Sequence, residues 1–154
     1  MRYRVQIMKS LIVYVSVEHG NTEKVAKAIS EVLGAELKEA KDVDPQALQN
    51  YELIGFGSGI FFSKFHARLL QLVTEMPHSS YKALIFSTSG YGKTNVHDAL
   101  RKELERKGCQ IIGDFACKGW DTYKPFKLVG GINKGRPDEN DLAQAREFAR
   151  NLGG

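Results

Sequence analysis

Three stretches of this chain collect residue types that can grip an anion and face a flat ring. The first is Ser16-Val17-Glu18-His19-Gly20-Asn21-Thr22, and a helical pattern follows it at once. A bound phosphate needs several donors converging on it. The hydroxyls of Ser16 and Thr22, the backbone N–H groups of Gly20, Asn21 and Thr22, and the positive end of the following helix can supply them, with His19 as a further donor. The plainer alternative is a capped strand-to-helix turn that binds nothing. The second stretch, Ser58-Gly59-Ile60-Phe61-Phe62, sets two aromatics beside a glycine. One ring is expected to pack in the core and the other to lie near a flat ligand, while Gly59 allows a peptide that reorients. The third is Thr88-Ser89-Gly90-Tyr91-Gly92. Tyr91, flanked by glycines, is poorly placed for core packing and well placed for stacking.

The third stretch runs on into Gly92-Lys93-Thr94, the close of a nucleoside-triphosphate loop, but that motif needs a glycine where Ser87 stands. Lys93 is therefore expected to be an exposed charge near the ligand. Further on, Trp120 and Tyr123 can be a hydrophobic plug, a partner surface or a roof over the ligand. Lys118, Lys124, Lys127, Lys134 and Arg136 face only Asp121 in the stretch 118–137. That local excess suits an anionic substrate or partner, and equally a solvated loop.

The elements that must position these loops alternate in kind. Leu11 to Val15 is a continuous apolar, β-branched run, the pattern of a strand buried on both faces. Asn21 to Leu33 is helical, with Val25, Ala28, Ile29, Val32 and Leu33 on one stripe, Asn21 as cap and Gly34 as terminator. An edge strand is expected over 35–40, buried strands over 53–57 and 83–86, and a last strand over 111–117, with a further strand conceivable at 126–130. Helices are expected over 65–75, 95–107 and 138–152. Strands alternating with helices imply parallel βαβ units in a doubly wound α/β sheet of five strands. In such sheets ligands bind at the carboxyl ends of the strands, where all three stretches fall.

The whole chain has 154 residues, the size of one domain, and its 42% hydrophobic and 26% charged residues are ordinary for a globular protein. No apolar run nears the ~20 residues of a membrane helix. Residues 1–9 lack the apolar core of a secretory signal and read as an extension before a domain spanning 10–154. Cys109 and Cys117 fall in one extended segment, which would hold them about 26 Å apart, too far for a disulfide. Reduced thiols suit a cytoplasmic protein. The net charge of +4 is modest, and no helix carries a continuous basic face, so nucleic acid is not an expected partner.

Together the phosphate turn, the glycine-aromatic loop and the glycine-tyrosine loop resemble the flavodoxin family, over about Ser10 to Leu152. Ser16 and Gly20-Asn21-Thr22 match that family's phosphate loop, in a turn one residue longer than the common form, with Glu18-His19 in place of hydroxyl residues. The resemblance implies strand order 2-1-3-4-5, a non-covalently bound FMN, and one- or two-electron transfer. It places Ser16, His19, Gly20, Asn21 and Thr22 on the phosphate. Ser58, Gly59, Ile60 and Phe61 would border the flavin on one side, Phe standing where many members have Trp. Thr88, Ser89, Gly90, Tyr91 and Gly92 would border it on the other. No catalytic residue and no metal ligand is implied. Electron-carrier members are typically acidic, whereas this chain is basic. The expected activity is an electron shuttle between redox partner proteins, or an oxidoreductase between NAD(P)H and a quinone-type acceptor. A cofactor-free binding module on the same fold is the third alternative. The expected state is monomer or homodimer. A phosphoacceptor receiver domain shares the strand order but needs acids where Val15-Ser16 and Gly57-Ser58 stand.

Overall fold

The computed structural model describes residues 8–17, 19–120 and 131–152. The expected extension 1–9 lies largely outside them, as do Glu18, Tyr123 and the conceivable strand at 126–130.

Five parallel strands form the sheet: β1 (Ser10–Val15), β2 (Glu36–Glu39), β3 (Leu53–Phe61), β5 (Lys82–Ser89) and β6 (Gln110–Lys118). A two-residue strand, β4 (Lys64–Phe65), folds back antiparallel on the end of β3. The order is β2-β1-β3-β5-β6, which is the expected 2-1-3-4-5 once the small β4 is numbered. Helices α1 (Asn21–Leu33), α2 (Ala67–Glu75), α3 (Asp98–Arg106) and α4 (Glu139–Arg150) connect or close it. α1 packs with α4 and α2 with α3, so the crossovers leave β1 and β3 toward opposite faces. That divergence opens a crevice at the carboxyl ends of these two strands.

The apolar run of β1 divides between two cores. Leu11, Val13 and Val15 face the layer of α2 and α3, with Phe56, Leu69, Val73, Ile85 and Leu104. Ile12 and Tyr14 face α1 and α4, with Val25, Ile29, Leu84, Phe86 and Ala145. Each fully buried Leu, Ile or Phe contributes about 2 kcal/mol of transfer free energy. β1, an interior strand between β2 and β3, therefore has no polar face to offer, and its chemistry lies in the turn that follows it.

Two differences from expectation bear on the site, and the helix expected over 95–107 opens as a short turn, Asn95–His97, before α3. Gly34 ends α1 in the left-handed conformation as expected, but the helix is capped by Gly20, not Asn21. Asn21 is already the first helical residue, which frees its amide for another partner. The second difference is at the β3 loop. Backbone pairing runs on through Phe61, which pairs with Lys64, so the helix expected from residue 65 starts only at Ala67. His66 caps that helix, its Nδ1 accepting from the Arg68 N–H at 3.0 Å.

Candidate functional site

The turn after β1 carries left-handed backbone at two successive residues, His19 (φ 57°) and Gly20 (φ 68°). A non-glycine residue there costs about 1–2 kcal/mol, so His19 is held by what surrounds it. Its imidazole stacks on the Trp120 indole, ring centroids 3.7 Å apart and planes 16° from parallel. Ser16 Oγ accepts the Glu23 N–H at 3.3 Å. Asn21 and Thr22, as the first two residues of α1, have N–H groups without intrahelical acceptors. Glu23, an acid in the first turn, is engaged by the Tyr14 hydroxyl at 3.2 Å and by Lys27 at 4.0 Å. Burial and this bond to Glu23 push the Tyr14 phenol up to about 12.

Asn21 crosses to the far side of the crevice. Its Nδ2 donates to the Trp120 carbonyl at 2.9 Å, over 99 residues of sequence. The Trp120 N–H in turn donates to the Arg136 carbonyl at 2.9 Å. A carbonyl accepts only, so this bond fixes which way the Asn21 amide points. Its Oδ1 is then buried with no hydrogen-bond partner. Such an orphan acceptor costs about 1–3 kcal/mol, and it asks for a donor from a ligand. Gly119 permits the approach: a Cβ there would sit 2.7 Å from Asn21 Nδ2. Beneath, the buried hydroxyls of Thr22 and Thr88 bond each other at 2.8 Å.

Asn21 and Thr22, Gly59, Ile60 and Phe61, and Thr88 and Ser89 thus line one cleft, together with Val17, Gly119 and Trp120. Its enclosed part is about 30 Å³, room for one or two waters. Any flat ring must therefore lie at the mouth. Ser16, His19, Gly20, Ser58, Gly90, Tyr91 and Gly92 do not line the cleft itself. Ser58 is wholly buried, its hydroxyl donating to the Gly59 carbonyl and accepting the His66 N–H at 3.1 Å. Gly59 is not left-handed; it lies within β3, paired with Thr88. The positive φ values fall instead on Phe62 (51°) and Ser63 (65°). These form a two-residue hairpin turn of the mirror-image type between Phe61 and Lys64. Neither aromatic is a core residue: Phe61 is half-buried, edge-on to His66 at 5.7 Å, and Phe62 is 88% exposed.

The third loop is braced from two sides. Ser89 Oγ accepts the Gly92 N–H at 2.8 Å, and Asn133 Nδ2 donates to the Gly90 carbonyl at 2.8 Å. Tyr91 emerges from this frame 70% exposed.

Within the basic stretch, Arg136 is less available than composition suggests. Arg136 grips Asp141 with two nitrogens, one at 2.7 Å, and this holds the Asp141 carboxyl below its usual range. Lys134 lies over the Trp120 ring, 5.5 Å from its centre. Both cysteines are buried free thiols, and burial pushes Cys117 up to about 12 and Cys109 up to about 11, so neither is a ready nucleophile.

A parallel sheet with a donor-rich turn at its switch point places the molecule among flavodoxin-type redox proteins. The model of the flavodoxin domain matches residues 11–124, and the chain belongs to that family. An uncharacterized protein of Methanocaldococcus jannaschii is 46% identical over 147 residues, 94% of this chain and 98% of its own. Among solved structures, a flavodoxin from the domain Archaea superposes with a TM-score of 0.70 at 18% identity, covering 93% of this chain and 94% of that one. Flavodoxin 2 from Bacillus cereus gives 0.65 at 19%, covering 92% and 94%. The rubredoxin oxygen:oxidoreductase of Desulfovibrio gigas gives 0.68 at 14%, covering 94% of this chain but 35% of that longer one. No helix among the described residues is long and apolar enough to cross a membrane.

Proposed function

We propose that the chain binds FMN at this cleft and passes electrons between redox partners. One observation carries the reading. The exposed large hydrophobics among the described residues are Val17, Phe62 and Tyr91. One comes from each of the three loops around the cleft, so covering them with one ring system removes all three from water at about 25 cal/mol per Å².

The donor set fits the rest of the cofactor. The N–H groups of Asn21 and Thr22 and the hydroxyl of Ser16 would hold the phosphate, with the α1 dipole behind them. The orphan Oδ1 of Asn21 would accept from a ribityl hydroxyl, since a phosphate dianion has no proton to give. Tyr91 on one side, with Val17 and Phe62 on the other, would bracket the ring and keep water from its faces. When bound, FMN supplies reversible acceptance of one or two electrons, and the protein supplies orientation and electrostatics.

Absorption of the purified protein, followed by fluorescence titration with FMN and with riboflavin, tests this. FMN is expected to be quenched on binding, and to bind at least tenfold tighter than riboflavin. If neither is quenched, the chain is a cofactor-free binding module on this fold.

One observation favours a second reading. A hollow of about 590 Å³ lies beside the cleft, lined by Val17, Phe61, Phe62, Phe65, His66 and Leu70 among others. A small apolar acceptor such as a quinone fits such a lining, which would make the chain an NAD(P)H-dependent oxidoreductase. Turnover of NADH or NADPH with a quinone, well above that of free FMN, would establish it. Two buried free thiols agree with a cytoplasmic site of action.

A further inference from the structure

Opposite the cleft, on the other face of β5, lies a polar cluster with no part in the phosphate site. Ser87 and His97 are both wholly buried, and Ser87 Oγ lies 2.7 Å from His97 Nε2. His97 Nδ1 lies 2.9 Å from Asp114 Oδ2 on β6, and Arg101 Nη2 on α3 donates to the same oxygen at 2.8 Å. The order Ser-His-Asp invites a hydrolytic reading, which the burial forbids: no substrate reaches a hydroxyl at 0% exposure. The cluster's purpose is therefore structural, and its position shows what it holds.

A carboxylate only accepts, so His97 Nδ1 carries a proton for Asp114. Burial disfavours the imidazolium, and Arg101 opposes it, against the attraction of Asp114 and Asp98. The Phe65 ring, 5.4 Å away, closes the remaining side. In the neutral ring Nε2 accepts, and Ser87 donates to it. Ser87 immediately precedes the stretch 88–94, and His97 closes the turn Asn95–His97 that follows it, with the His97 N–H on the Thr94 carbonyl at 2.9 Å. One imidazole thus joins the two ends of the loop to each other and to β6.

We propose that His97 is the positioning residue of the loop that carries Tyr91, clasping its entry at Ser87 and its exit to the sheet through Asp114. The flavin-facing consequence rests on the FMN reading; the clasp itself does not. Loosening it lets Gly90 to Gly92 move relative to Thr88, which is fixed to Thr22 on the cleft side.

The test begins with the ligand-free chain by NMR. The His97 ring nitrogens should show the Nδ1–H tautomer. Arg101→Gln removes the opposing charge and leaves Asp114 in place, so the His97 midpoint should rise. The amide signals of Gly90 and Gly92 should titrate with that same midpoint in both proteins. Ser87→Ala, which deletes one atom, should speed hydrogen exchange at the Gly92 amide about tenfold. Loop amides that ignore the His97 midpoint, or exchange unchanged in Ser87→Ala, overturn the proposal. With FMN added, Ser87→Ala should weaken binding several-fold and shift the flavin potential. Wild-type protein that fails to bind FMN would sink the functional reading, while the ligand-free measurements still decide the clasp.

Discussion

Ser87 and Thr88 are consecutive residues of β5, both buried and both hydroxyl-bearing, yet they face different problems. Thr88 points toward α1, bonds Thr22, and borders a cleft whose wall holds an orphan acceptor in Asn21. Ser87 points toward α3, into a cluster where its own hydroxyl and both nitrogens of the buried His97 ring have partners. One face leaves a buried acceptor unpaired, while on the other the buried hydroxyl and imidazole are paired. The contrast shows how a sheet edge can keep unsatisfied chemistry within one residue of a rigid brace. Buried polar groups are costly unless paired, so the unpaired ones stand out as the candidates for binding.

This comparison can be broken in order of expected effect. His97→Ala on the sealed face leaves a cavity and strands Ser87 and Asp114, so urea denaturation should show a loss of about 3 kcal/mol. Thr22→Val on the open face keeps its shape and loses one hydroxyl. It should cost about 1 kcal/mol in stability but weaken FMN about tenfold in a quenching titration. Equal effects on stability and affinity in these two variants would erase the distinction between the faces. Tyr91→Ala, at an exposed position, should leave the urea midpoint within ~0.5 kcal/mol of wild type while lowering FMN affinity about tenfold.

The smallest effect expected is a pH slope. His97 has a folded value below its ordinary 6.5, so below pH 6.5 the unfolded chain binds more protons than the native one. Stability should therefore fall as pH drops through that value and be recovered above it. Urea midpoints measured from pH 7.5 down to 5 should show a slope that is shallower in His97→Gln. An identical slope in the variant would place the linkage on other groups.

The architecture was legible because hydrophobic pattern is a local signal. Leu11 to Val15 announces a strand buried on both faces, and Gly34 marks the end of α1 before any tertiary contact is known. The hairpin at Phe62-Ser63 was not legible, since mirror-image turns are read from Asn and Gly, and here the pairing of Phe61 with Lys64 closes the turn through two residues that rarely adopt it. The clasp escaped for a different reason. His97 sits in a short helical turn whose local pattern is polar, and its partners lie 10 and 17 residues away on two strands. The bond from Asn21 to Trp120 spans most of the chain, and no periodicity foreshadows it. Charge counting failed at Arg136, which composition offers to an anionic partner and the fold gives to Asp141.

Gly119 carries an evolutionary consequence. Because the amide of Asn21 occupies the space any β-carbon at 119 would need, the two positions must drift as a pair. Lineages that trade this glycine for a larger residue should shorten the residue at 21 in the same step. Trp120 is tied in twice, through its peptide groups and through the stack of its indole on His19, so a change there would reach the turn after β1 as well.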